Sequence, residues 1–174
     1  FHARFSALAR RYRYLIFNRP QRSALWRRRA TWCYRPLDAG RMHAAGQCLL
    51  GEHDFSSFRA ADCQARHPVR EIRELTVWRQ SDGVVLEVEA NAFLQHMVRN
   101  IAGVLMAIGA GERPVAWARE VLERRDRARA GVTAPAEGLY LLAVRYPRRF
   151  GLPEAPVTAP GFASPSEGGE RCEK

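Results

Sequence analysis

The segment LQHMVRNIAGVLMAIGAG, Leu94 to Gly111, restricts the fold more than any other. Leu94, Met97, Val98, Ile101, Val104, Leu105 and Ile108 recur at helical spacing and form an unbroken apolar stripe. The opposite side is not an ordinary solvated face, because Ala102, Gly103, Met106 and Ala107 are small or apolar and Arg99 stands among them. Such a helix must lay one face on a core and receive a close neighbour on the other. Arg99 then points into that second contact. A guanidinium there needs a carboxylate or phosphate partner, since an unpaired buried charge is very costly. A structural salt bridge and a ligand contact both satisfy that requirement.

The rest of the chain supplies a sheet for this helix. RRYRYLIFN alternates, with Tyr12, Tyr14 and Ile16 on one face of a strand and Arg11, Arg13, Leu15 and Phe17 on the other. ATWCYR reads as a second strand. VREIRELTVWRQ and GVVLEVEAN are two strands joined by SDG, a hairpin signal. GLYLLAVRYP reads as a buried closing strand. Between the first two strands and the hairpin lies RPLDAGRMHAAG, with Met42, Ala45, Cys48 and Leu49 on one helical face, Asp38 as N-cap and Gly51 past the end. PVAWAREVLERRD is a further, more exposed helix with Pro114 near its first turn. Four or five strands with three helices predict an α+β fold, a mixed, largely antiparallel sheet with helices packed on one face. Residues 1–150 make one domain, and the Pro-, Gly-, Ser- and Glu-rich residues 151–174 are expected to be a disordered tail.

Charge narrows the partners. The 174 residues carry a formal net charge of +10, and no acidic residue precedes Asp38. Lys174 is the sole lysine, and arginine forks suit phosphate. A genome rich in Arg codons explains the missing lysines but not the clustering. A polyanion, nucleic acid above all, is the expected partner. The four cysteines are far apart and none is spaced as C-x-x-C, which favours free thiols of a cytoplasmic protein. The five histidines show no metal-ligand spacing, so no metal is expected. No run of about 18 apolar residues occurs, so no membrane helix is expected. The first residues lack the apolar stretch of a signal peptide, and the chain reads as cut at its N-terminus.

Several residues are candidates for contact with RNA. Tyr12 is flanked by arginines on its strand, which suits base stacking beside phosphate contacts, although a core position is equally open for it. Tyr14 is expected in the core. In HDFSSFRA, Arg59 with Ser56 and Ser57 could hold a phosphate; a surface turn capped by Asp54 is the plainer alternative. Leu139 stands at the mouth of the last strand after Gly138, a position more often core than functional. These residues support RNA binding but do not by themselves reach a reaction.

Four blocks together carry a more specific likeness. FHARFSALARRYRY, PLDAGRMHAAGQCLLGEHDFSSFRA, NAFLQHMVRNIAGVLMAIG and GVTAPAEGLYLLAVRYP resemble, in order, the C-terminal half of the TruA family of bacterial tRNA pseudouridine synthases. The resemblance runs from Phe1 to about Pro153. It implies a pseudouridine synthase-like fold. It also implies an isomerase that converts uridine to pseudouridine at positions 38–40 of the tRNA anticodon stem-loop, without a cofactor and as a homodimer. By resemblance, Tyr12 is the tyrosine that stacks on the target base and helps remove the proton from C5. Arg99 pairs with the catalytic aspartate, and Leu139 packs against the flipped uracil. His2, Arg4, Arg11, Arg13 and Arg59 are expected at the RNA-binding surface.

One family feature is missing from the sequence. The family's nucleophile lies in an Arg-Thr-Asp-Ala-Gly segment, and no such segment occurs here. Asp38-Ala-Gly is not preceded by Arg-Thr and opens a helix, so its likeness to the nucleophile loop is accidental. The chain is therefore expected to be inactive alone, with the partner of Arg99 supplied from outside it. The alternative is a non-catalytic basic RNA-binding domain that kept the charge and lost the chemistry.

Overall fold

The computed structural model describes residues 1–152 and 160–162. Strands β1 (Ala9–Phe17), β2 (Thr31–Trp32), β3 (Gly51–Asp54), β4 (Val69–Gln80), β5 (Gly83–Ala90) and β6 (Leu139–Arg145) form one sheet. Helices α1 (Ala39–Gly46), α2 (Met97–Gly109) and α3 (Trp117–Arg124) complete the element order. The hydrogen-bonded path runs β2-β1-β5-β4-β3, and β6 pairs with β1 on the same edge as β2. All pairings are antiparallel except the short β1–β2 contact. The mixed, mostly antiparallel α+β fold read from the sequence is the fold observed.

The alternation of β1 divides two cores. Tyr14 and Ile16 face the helices, where they pack with Leu86 and Val88 of β5, Met42 of α1 and Ile101, Val104 and Leu105 of α2. Leu15 and Phe17 face the other way and build a smaller cluster with Val85, Ala30 and Phe162, flanked by Trp26, Trp32, Trp78 and Tyr140. The whole stripe of α2 is buried, as its spacing predicts; Leu94 is buried too but precedes the first helical turn. α3 buries Trp117, Ala118, Val121 and Leu122 and leaves its charged residues outside.

Asp38 is the N-cap of α1, and its carboxylate accepts the amide of Arg41 at 2.9 Å. Its own amide donates to the carbonyl of Gly109 at 2.9 Å, which ties the start of α1 to the end of α2. The helix ends at Gly46 and continues as a single tight turn through Leu49, with Gly51 beyond it at φ +90°.

Three local readings need correction. The turn read in HDFSSFRA starts later than its first residues: Gly51–Asp54 is a strand, β3, that pairs with the first residues of β4, and only then does Asp54 cap a turn by accepting the amide of Ser56. ATWCYR contributes only Thr31 and Trp32 to the sheet, because the chain leaves the edge of β1 once Cys33 has donated to the carbonyl of Phe17. The closing strand is a half-buried edge strand rather than a buried one, since among the described residues β6 has a neighbour on one side only and Leu141 is 54% exposed. The tail expected to be disordered lies almost wholly outside the described residues.

Candidate active site

Where β1, β6 and the start of α2 meet, a cleft of about 1300 Å³ opens. Tyr12, Arg99 and Leu139 all line it. Strand register explains the meeting: Tyr12 lies opposite Val88 on one side and Leu141 on the other, and Tyr14 lies opposite Leu139. Tyr12 and Leu139 therefore share the face that carries α2. The β1–β6 ladder slips by one residue between Arg11 and Tyr12, a bulge-type irregularity beside the cleft.

The ring of Tyr12 stands edge-on to Phe93, with centroids 5.1 Å apart and planes at 88°. That contact fixes the ring, while no hydrogen bond reaches its hydroxyl among the described residues. Tyr14, two residues on, is fully buried, and its hydroxyl meets Thr31 and donates to the carbonyl of Pro135 at 2.7 Å. Burial pushes that hydroxyl up to about 12. The tyrosine expected in the core is in the core. Leu139 enters the cleft directly after Gly138, whose φ is +98°. A Cβ at Gly138 would lie 2.5 Å from the carbonyl oxygen of Leu15, so the chain can turn this tightly against β1 only with glycine there.

Arg99 is held by the neighbour that the small face of α2 demanded. That neighbour is the loop 131–134. A Cβ on Gly103 would come within 1.8 Å of the carbonyl oxygen of Val132, so the loop backbone lies directly on the helix. Arg99 and Ala134 exchange two bonds: Nε of Arg99 donates to the Ala134 carbonyl at 2.8 Å, and the Ala134 amide donates to the Arg99 carbonyl at 3.1 Å. Asn100, Arg127 and Thr133 link the same loop to the core. Arg127 donates to Asn100 and Thr133, Thr133 donates to Asn100 at 2.6 Å, and Asn100 donates to the Phe58 carbonyl at 2.6 Å. With Nε fixed on a backbone carbonyl, the Arg99 side chain is held in the wall of the cleft. Arg99 forms no ion pair among the described residues, so the structural salt bridge is not what places it there.

The cleft has a strong sign. Arg4, Arg10, Arg70 and Arg99 line it, against the single carboxylate of Asp62, which is exposed and accepts from Gln95. Phe5, Leu8, Phe93, Leu94, Met97 and Val98 add apolar surface. α2 also begins here, so the positive end of its dipole faces the same space. A basic cleft with aromatic and aliphatic walls suits an anionic ligand that carries a flat apolar part.

A family profile described as tRNA pseudouridine synthase matches residues 45–147. The chain belongs to the tRNA pseudouridine synthase family. It is 60% identical over 152 residues to tRNA pseudouridine synthase A of Methylococcus capsulatus, covering 87% of this chain and 56% of that protein. It is 60% identical over 160 residues to tRNA pseudouridine synthase A of Nitrosococcus oceani, covering 91% and 62%. The corresponding protein of Pseudomonas aeruginosa is 59% identical over 154 residues, covering 88% and 54%. The chain thus spans a little over half the length of these relatives.

In this chain, the basic residues picked from sequence go to different places. Arg4 lines the cleft. His2 lies in the exposed turn before it, where its Nδ1 accepts the amides of Arg4 and Phe5. Arg11 and Arg13 alternate to the opposite sheet face and sit among carboxylates: Arg11 pairs with Glu74, Glu87 and Glu89, and Arg13 with Glu87. Arg59 donates to the carbonyl of Cys63 at 3.1 Å, and Ser57 is buried, with its hydroxyl accepting the amide of Asp126. Ser57 is thus engaged within the fold, and Arg59 keeps one guanidinium nitrogen on a backbone carbonyl.

Other residues of the cleft escape sequence reasoning. Phe93 carries the only ring packed on Tyr12 among the described residues, and its signal was an aromatic two residues past GVVLEVEAN. Arg10 spends its guanidinium on the carbonyls of Arg4, Ala7 and Asn91, which fastens the N-terminal segment as one wall. Arg70 enters from the start of β4, far away in sequence, and nothing local announces it. His96, directly before α2, holds a left-handed backbone at φ 60°, a conformation that collects at functional sites.

Proposed function

We propose that this chain carries the RNA-facing part of a tRNA pseudouridine synthase that isomerises uridine at positions 38–40 of the anticodon stem-loop, within a homodimeric, cytoplasmic enzyme. The observation that carries this reading is the convergence of Tyr12, Arg99 and Leu139 on one basic cleft, with Nε of Arg99 held on the carbonyl of Ala134. In the reaction the N1–C1′ bond breaks, the uracil turns within the site, and a C5–C1′ bond forms. C5 loses a proton and N1 gains one, so the balance needs no external reagent. Tyr12, steadied by Phe93, stacks on the target base, and its hydroxyl is placed to take the C5 proton. Leu139 packs against the flipped base, and an apolar, closed surround holds the detached uracil in place. Arg4 meets the RNA backbone. Arg99 orients the nucleophilic aspartate, which comes from a segment absent from this sequence.

The test is tritium release from C5-labelled tRNA. The chain alone is expected to release none. Joined by the remaining part of a full-length relative, it is expected to turn over, and Arg99→Ala is expected to abolish turnover while tRNA binding persists. Turnover by the isolated chain would overturn the claim of an external nucleophile. Full activity of the assembled Arg99→Ala protein would overturn the role of Arg99.

A further inference from the structure

Between β1 and β2 the chain makes a turn, residues 19–30, that the isomerisation site does not use. Trp26 is its anchor. The ring is half-buried, 4.5 Å from the ring of Phe162 in the smaller core, and the Trp26 carbonyl accepts the amides of Arg29 and Ala30. Around that anchor the side chains of Arg22, Leu25, Arg27, Arg28 and Arg29 are exposed, Leu25 by 81%. Arg22 lies over the ring of Trp32, 4.3 Å from its centroid, and the Trp32 indole donates to the carbonyl of Arg19. Tyr140 of β6 donates its hydroxyl to the carbonyl of Arg29 at 2.6 Å. Tyr140 directly follows Leu139 of the cleft but points to the opposite sheet face. The turn therefore sits just beneath the β6 side of the cleft.

Its charge is uncompensated among the described residues. The arginines that flank it are paired, Arg19 with Asp82 and Arg35 with Glu112. Arg22, Arg27, Arg28 and Arg29 form no ion pair among the described residues, and the nearest acidic residue in sequence is Asp38. Three successive guanidiniums repel one another, and Arg28 holds a left-handed backbone at φ 63°, which non-glycine residues adopt at a cost. A turn fixed by a half-buried tryptophan, a tyrosine and backbone bonds thus holds four arginines outward, with no carboxylate among the described residues paired to them.

We propose that this turn is a second RNA-contacting surface, which takes the phosphate backbone of the substrate where it runs past the cleft and around the β6 edge. The inference rests on the reading of the substrate as tRNA. Guanidinium forks match phosphate oxygens two at a time. An RNA backbone fits this surface better than an anionic lipid surface does, because the tryptophan is turned inward and Leu25 alone of its large apolar side chains is fully offered.

The test compares this chain with a variant carrying Arg22→Ser, Arg27→Ser, Arg28→Gly and Arg29→Ser, in which glycine suits the backbone at 28. Binding is measured over a range of salt for an intact tRNA transcript and for a short anticodon-arm hairpin that fills only the cleft. Affinity for intact tRNA is expected to fall at least about tenfold, and the slope of log affinity against log salt to shrink by about two to three, since each lost phosphate contact removes a little under one. Hairpin affinity is expected to stay within about twofold. A lysine variant at the same four positions, which keeps the point charges, is expected to bind tRNA within about threefold of the parent. Unchanged tRNA affinity and slope would overturn the inference, as would an equal loss on the hairpin or a lysine variant as weak as the first. So would loss of binding to phosphatidylserine vesicles with tRNA binding intact. If the parent chain binds neither RNA, the tRNA reading itself falls; if the parent binds and the first variant binds equally well, only this inference does.

Discussion

Tyr12 and Tyr14 stand two residues apart on the same face of β1 and have opposite fates. Tyr12 opens to the cleft, whereas Tyr14 is sealed beneath α2 with its hydroxyl between Thr31 and the Pro135 carbonyl. The side chain that looks equivalent in sequence therefore serves stability, and its chemistry gives a test. Burial raises its hydroxyl from 10.0 to about 12. Below the lower value both folded and unfolded chains keep the proton, and the contribution is fully present. Between the two values the unfolded chain ionises first, so stability falls by about 1.4 kcal/mol per pH unit from this group. Tyr14→Phe removes that dependence but also two hydrogen bonds, at about 1 kcal/mol at neutral pH. Denaturant unfolding of both proteins from pH 8 to 12 is expected to show the variant less stable at pH 8 and flatter above pH 10. Parallel curves would rule out Tyr14 as the group responsible.

At the scale of elements, α2 and the loop 131–134 form the unit that presents Arg99. The sequence showed one partner of this pair and hid the other. A helix with Ala102, Gly103, Met106 and Ala107 on its second face announces close packing, yet AGVTAP carries no sign of what it packs on. The same contrast runs through the fold. β4, β5 and α2 were legible because each imposes its own period on its side chains. β3 was not, since GEHD is polar throughout and becomes a strand only by borrowing the backbone of β4. Arg70 reaches the cleft by that same long-range pairing, so no local pattern could assign it. Gly103→Ala tests the unit directly. The added methyl meets the Val132 carbonyl oxygen, a backbone atom that no rotamer can move aside. A stability loss of about 1–3 kcal/mol is expected from overpacking. Hydrogen exchange at the Ala134 amide, which donates to Arg99, should accelerate beyond that global loss as the loop lifts. Unchanged protection there would mean that the loop is held without the close approach at Gly103.

On the scale of the whole molecule, the site exists because three distant stretches are made neighbours by one strand. β1 pairs with β5 on one side and β6 on the other, and α2 follows β5 back across the sheet. Tyr12, Leu139 and Arg99 arrive together for that reason. The four-block resemblance made them legible as a set, whereas periodicity left Tyr12 and Leu139 indistinguishable from core residues. The same topology leaves a liability. β6 has one neighbour among the described residues, and it shows Leu141 on the cleft side of an open edge, with Leu8 and Phe5 also exposed nearby on the cleft wall. Unpaired backbone groups beside exposed apolar side chains invite edge-to-edge pairing. Sedimentation velocity of this chain is expected to show a mass that rises with concentration at moderate salt, where repulsion from the +10 net charge is screened. Leu141→Lys places a charge on that edge without touching the core and is expected to return the chain to a concentration-independent monomer. A parent chain that stays monomeric at every concentration would show that the β6 edge is protected. An associating chain indifferent to Leu141→Lys would move the contact to another surface.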